Sequence, residues 1–238
     1  MEIDNDNDND NDNDNDIINN FSLDIVVTMN VDDEITSLIE KCIDTGSYFD
    51  IAIILHYLYK DQYVVTSIKN KIWFSYKEHK WVKTELGPYR ELSTNVVHLF
   101  NEYRKALLHK HKKHRNKRLA DKIIKCEDII MLLKESSCKE KICKECLYIF
   151  YDDQFINKLD EDSNLVPFKN GVYDINNEQL REGLFSDYLS IYINKNFSPD
   201  DLENDKLIKD FQLFRNEMIS KRYRNLYKMY KLKNDYII

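Results

Sequence analysis

Between Pro88 and Pro167 the sequence contains neither glycine nor proline. So long a stretch without the residues that stop helices and make tight turns favours long helices, because every hairpin of a sheet needs turn chemistry. The apolar side chains inside it keep helical spacing. Val96, Val97, Leu99, Phe100, Tyr103 and Leu107 open a long helix. Leu119, Ile123, Ile124, Ile129, Ile130, Leu132 and Leu133 resume the period after a polar stretch. Ser136-Ser137 is expected to break it, since serine favours caps over helix interiors. Cys143, Leu147 and Phe150 mark a further helix, and Asp152 to Leu159 a short one.

The flanks read differently. Asp32-Asp33-Glu34 followed by Ile35, Leu38, Ile39, Cys42 and Ile43 has an acidic start and an apolar stripe, closed by Gly46. Phe49 to Tyr59 is a second helix, with Ile51, Ile54, Leu55 and Leu58 inward. Tyr63–Ile68, Lys71–Tyr76 and Lys80–Thr84 are short β-branched or aromatic runs, and predict an antiparallel meander with Trp73 and Trp81 covering one face. Asn170-Gly171 joins two apolar runs as a hairpin whose turn calls for positive φ at both residues. Residues 204–232 predict a last, charged helix. The expected class is α+β, mainly α: helices around a small meander, long central helices, a late Asn-Gly hairpin and a C-terminal helix.

With 238 residues, 42% of them hydrophobic, the chain can bury one substantial core or two small ones. Sixteen tyrosines and eleven phenylalanines exclude a globally disordered chain. No apolar run approaches the ~18 residues of a membrane span. The N-terminus carries Asp and Asn where an export signal would carry Arg and an apolar stretch, so an intracellular, soluble protein is expected. The net charge of -7 hides an asymmetry. Residues 1–50 hold 15 acidic residues against one lysine, and the remainder 34 basic against 27 acidic. Asp4 to Asp16 alternates Asp and Asn, a solvated low-complexity tail without the central Gly and terminal Glu of a calcium loop.

No phosphate-binding G-x-x-x-x-G-K-[ST], G-x-G-x-x-G, G-x-S-x-G or H-E-x-x-H occurs, and no catalytic constellation is found. Cys138, Cys143 and Cys146, with Cys126 or His109, His111 or His114 as a fourth ligand, invite a zinc reading. Nothing supplies the turns of a zinc knuckle, so they read as small residues on a helix. No metal and no cofactor are expected. Cys42 and the others are expected to be free thiols. Residues 104–118 hold eight basic residues, three histidines and no acid. Arg104, Lys105, Lys110, Lys112, Lys113, Arg115, Lys117 and Arg118 are the candidate nucleic-acid contacts, because unbalanced positive charge neutralises phosphates. Lys221 to Lys231 interleaves basic and aromatic residues, and is read as an amphipathic helix with Tyr223, Tyr227 and Tyr230 buried.

Leu165-Val166-Pro167-Phe168-Lys169-Asn170-Gly171-Val172-Tyr173-Asp174, then Asp187-Tyr188-Leu189-Ser190, form a more specific run. His56-Tyr57-Leu58-Tyr59-Lys60-Asp61, Ser67-Ile68-Lys69 and the Trp73–Trp81 pair precede it. Over residues 48–195 the chain resembles the domain preceding the superfamily 3 helicase in poxvirus, giant-virus, phage and plasmid primase–helicases. In that family the pattern is leucine-x-x-phenylalanine-x-asparagine-glycine-valine-tyrosine-aspartate followed by aspartate-tyrosine-isoleucine-serine. No helicase or primase motif is present in these residues, so the resemblance carries over no ATPase or polymerase residue. Phe168, Asn170, Gly171, Val172, Tyr173 and Asp174 are read as structural.

The expected organisation is a disordered acidic tail (1–19), a primase–helicase-associated domain (20–195) and a charged helical extension (196–238). The expected function is a non-catalytic DNA-binding or assembly module linked to viral DNA replication. DNA is the expected partner, no membrane is expected, and the setting is host cytoplasm or a viral replication site. The alternatives are a module docking a separate helicase, or a truncated paralogue without activity.

Overall fold

The computed structural model describes residues 33–113, 115–162, 164–191 and 193–198, and beyond them Lys209, Asp210, Leu213, Asn216, Glu217 and Ser220. The chain forms α1 (Asp33–Thr45), α2 (Tyr48–Tyr59), strands β1 (Tyr63–Ser67), β2 (Ile72–Lys77) and β3 (Lys80–Thr84), and then a helical turn at Tyr89–Glu91. A π-helical stretch, Leu92–Val96, leads into α3 (Val97–Lys113), followed by α4 (Lys117–Leu132), α5 (Ser136–Ile149) and α6 (Phe155–Lys158). Strands β4 (Leu165–Phe168), β5 (Gly171–Asp174) and β6 (Gln179–Arg181) precede a 3-10 turn at Phe185–Asp187. The fold is α+β and mainly α, with two antiparallel three-stranded sheets ordered β1-β2-β3 and β4-β5-β6. No helix among the described residues is long and apolar enough to cross a membrane.

The molecule divides into two compact units: Met1–Gly46 with Glu91–Glu135, and Ser47–Arg90 with Ser136–Ile238. In the first, α1, α3 and α4 bury the stripes their spacing predicts. Ile35, Ile39, Cys42 and Ile43 come from α1, Leu99, Phe100 and Leu107 from α3, and Ile123, Cys126, Ile129 and Ile130 from α4. The Cys126 thiol donates to the Phe100 carbonyl at 3.3 Å. The polar stretch is not a continuous helix. Asn116 takes extended backbone angles, and its side chain accepts from the Arg118 amide at 2.9 Å, so it caps a new helix. α4 ends near Leu133, and Ser136 starts α5.

In the second unit α2 packs on α5, capped at its start by Ser47. The meander matches its predicted strands to within one residue at each end. Trp73 and Trp81 do not share a face. Trp81 lies opposite Tyr76, whereas Trp73 lies opposite Thr84 and three residues before Tyr76, and side chains alternate along a strand. Both tryptophans are nevertheless buried, because each face is covered. Trp81 packs with Phe155, Leu159, Phe74 and Tyr76, and Trp73 with Tyr63 and Phe150. Gly87 turns beneath Trp73 with φ +53°, where a Cβ would stand 2.7 Å from the indole ring.

The second sheet holds its own core of Leu165, Val166, Phe168, Val172, Tyr173, Leu189 and Phe197. Its third strand, β6, is absent from the sequence expectation. It is three residues long with mostly exposed side chains, so it carries no apolar alternation to read. The expected short helix at Asp152 to Leu159 is a single turn, α6. The six described positions of the expected 204–232 helix are helical. The acidic tail (1–19) and Tyr223, Tyr227 and Tyr230 lie outside the described residues.

Candidate nucleic-acid interface

The basic candidates fall on one helical hairpin of the first unit. Arg104, Lys105, Lys110, Lys112 and Lys113 lie on α3, Arg115 in the link, and Lys117 and Arg118 in the first turn of α4. The fold uses two of them. Arg104 pairs with Glu127 at 2.7 Å across the hairpin, and Lys105 with Glu102 at 2.6 Å along α3. The other six are exposed, and none has an ion-pair partner among the described residues. Nearby, Glu40 accepts from Tyr103 at 2.8 Å and pairs with Lys122 at 3.4 Å. The Tyr103 hydroxyl, then Lys122 and more weakly Lys110, hold the Glu40 carboxyl below its usual range.

Helix electrostatics separates the six. Lys110, Lys112 and Lys113 stand in the last turn of α3, where the macrodipole favours cations. Lys117 and Arg118 stand in the first turn of α4, which has no acidic residue, so its amides and these cations present the same sign. The hairpin tip is thus positive from side chains on both arms and from the start of α4. Such a surface attracts anions and releases counterions on meeting phosphates.

The motif residues sit in the second unit and are spent on packing. Phe168 and Val172 are completely buried, and Tyr173 stacks on Phe197 with centroids 4.6 Å apart. Asn170 does not adopt the left-handed conformation expected of it; its side chain clamps the distant backbone of Phe197 instead. Its amide donates to the Phe197 carbonyl at 3.0 Å while its oxygen accepts from the Phe197 amide at 2.9 Å. Gly171 does carry positive φ, +150°, and a Cβ there would meet the Arg181 carbonyl at 2.6 Å. Asp174 accepts from the amides of Asn176 and Asn177 and from the Asn177 side chain, at 2.9, 3.2 and 2.7 Å.

The Asp187–Ser190 block is tied in the same way. Asp187 holds Arg181 through two contacts of 2.8 Å, and Asp160 accepts from both the amide and the hydroxyl of Ser190. The Trp81 amide donates to the Leu189 carbonyl at 2.6 Å, and its indole to the Phe185 carbonyl at 2.8 Å. The Trp81 links join the meander to the Asp187–Ser190 run. Sequence reasoning missed the Trp81 and Asp160 links because each spans 30 residues or more and leaves no local periodicity.

Cys138, Cys143 and Cys146 all lie on α5. Burial pushes the Cys143 thiol up to about 11 and the Cys146 thiol higher still. Zinc needs thiolates. Among the described residues no three His, Cys, Asp or Glu side chains are grouped to hold a metal ion.

Two viral proteins and one protein family are similar in sequence to this chain. A protein named as a helicase from Acanthamoeba polyphaga mimivirus is 31% identical over 176 residues, which is 71% of this chain and 18% of that protein. One named as a helicase from Invertebrate iridescent virus 3 is 42% identical over 62 residues, 26% of this chain and 7% of that protein. The chain therefore spans less than a fifth of the length of either relative. The family described as D5 N terminal like matches residues 52–220, which include the meander, the basic hairpin and the Asn-Gly motif. The chain belongs to the D5 N-terminal-like family.

Proposed function

We propose that this chain is a non-catalytic DNA-binding and assembly module of viral DNA replication, acting beside a helicase in the host cytoplasm or at a viral replication site. One observation carries the reading. Six basic side chains stand exposed at one hairpin tip without carboxylate partners among the described residues, two of them at the helix end that disfavours cations. The relatives' names supply the helicase context. Within this reading residues 20–195 are the working module, 1–19 an acidic arm and 196–238 a charged extension.

The test is fluorescence anisotropy of the full chain on single-stranded, duplex and forked DNA across a salt series. Binding should weaken steeply with salt. Reversing Lys110, Lys112, Lys113 and Arg115 to glutamate should lower the slope of log affinity against log salt by roughly four. An unchanged slope removes the hairpin tip from the account. Absence of binding by folded protein at low salt transfers the assignment to docking of a separate helicase.

A further inference from the structure

The second unit holds an aromatic cleft of about 260 Å³ that neither the basic hairpin nor the Asn-Gly motif uses. We propose that it receives an unpaired nucleobase of single-stranded DNA. The proposal rests on the chain meeting DNA, but its site is separate from the hairpin tip.

The walls come first. Trp81 and Phe155 meet edge to face with centroids 5.0 Å apart, and Tyr188 stands 6.0 Å from Phe155. Phe155 and Trp81 are buried and brace the cleft from behind, so the ring surface open to a guest is that of half-buried Tyr188 and of the lip. Its lip carries Tyr151 and Phe185, 44% and 39% exposed. Exposed aromatics at the mouth of an aromatic cleft suit a planar guest that stacks without demanding one base identity. Both lip residues are held by backbone. Tyr151 is fixed by a parallel bridge to Val65, and the Phe185 carbonyl accepts the Trp81 indole proton.

The polar lining narrows the guest. His56 also lines the cleft, and burial, then Lys60, lowers its pKa against the opposing pull of Asp61, which favours the neutral ring. Lys60 lies at the exposed end of α2, where a backbone phosphate would pass. Asp152 is paired with Lys158 at 3.1 Å, which tempers its repulsion of that phosphate, and Asp61 beside Lys60 is the other carboxylate in the lining. The volume is below the ~300–1,000 Å³ of pockets for drug-sized ligands, so one ring system fits and a longer apolar segment does not.

The experiment titrates the full chain into 2-aminopurine deoxyribonucleoside monophosphate, and into a single strand and a duplex carrying the same fluorophore. Stacking should quench the monophosphate and the single strand, and the duplex little. Tyr151→Ala and Phe185→Ala should each weaken monophosphate binding about tenfold, as expected for one lost stacking face. Tyr151→Phe should keep it. Tyr148→Ala, which removes a tyrosine 68% exposed outside the cleft, should leave it unchanged. No quenching by the wild-type chain, or equal quenching by the Tyr151→Ala and Tyr148→Ala variants, overturns the proposal. Quenching that survives reversal of the hairpin charges, while anisotropy binding is lost, supports the cleft as a distinct site. Salt-dependent binding without quenching overturns the cleft and leaves the hairpin reading standing.

Discussion

Two hairpins, one helical and one of strands, each turn at an asparagine and put it to opposite use. At the α3–α4 link Asn116 caps a local helix, and the charged residues around it face solvent. At the β4–β5 turn Asn170 reaches 27 residues along the chain to clamp Phe197, and the strands on either side of the turn are buried. The difference teaches how to sort a motif from a site. Where the fold consumes the side chains, the residues specify structure. Where it leaves charge unspent, they are available to a partner.

The sharpest way to break this contrast is Phe168→Ala, which empties the centre of the second sheet's core. A loss of about 3–5 kcal/mol in chemical denaturation is expected. A loss below 1 kcal/mol would mean the motif is not structural. Reversal of the four hairpin charges should change folding stability by no more than about 0.5 kcal/mol while altering DNA binding. Next in size is Asn170→Ala, which removes two hydrogen bonds and should cost about 1–3 kcal/mol. Asn116→Ala should cost about 1 kcal/mol as a lost cap, and should fray α4 alone by hydrogen exchange.

The smallest effect is pH-dependent. The Asn177 side chain, then the amides of Asn177 and Asn176, hold the Asp174 carboxyl below its ordinary value. A lowered folded pKa means that the stabilisation is present above the unfolded value of about 3.9, and is lost as pH falls through the folded one. Asp174→Asn should therefore melt below the wild type at pH 7, and the gap should close as the medium is acidified past pH 4. A gap independent of pH would assign the contacts no dependence on charge.

Much of the fold was legible because its signals are local. The glycine- and proline-free stretch, the apolar stripes of α1, α3 and α4, and the three meander strands each follow from spacing within a few residues. Three readings failed, that of the Asn170 backbone among them. The faces of Trp73 and Trp81 depend on strand register, and the break at Asn116 falls where no apolar period exists to interrupt. Asparagine ahead of Lys117 and Arg118 is a cap signal, but without an acidic residue following it the signal is half complete.

By itself the sequence determined the element types, the positive charge of residues 104–118 and the presence of an Asn-Gly hairpin, since propensity, charge and turn chemistry act over a few residues. Only the tertiary structure decided which charges remain unspent. Arg104 meets Glu127 at the surface, and Asp160 meets Ser190 in a part-buried site, because packing closes long loops. The aromatic cleft has the same origin: Trp81, Tyr151 and Phe185 become neighbours only when three distant segments share one core.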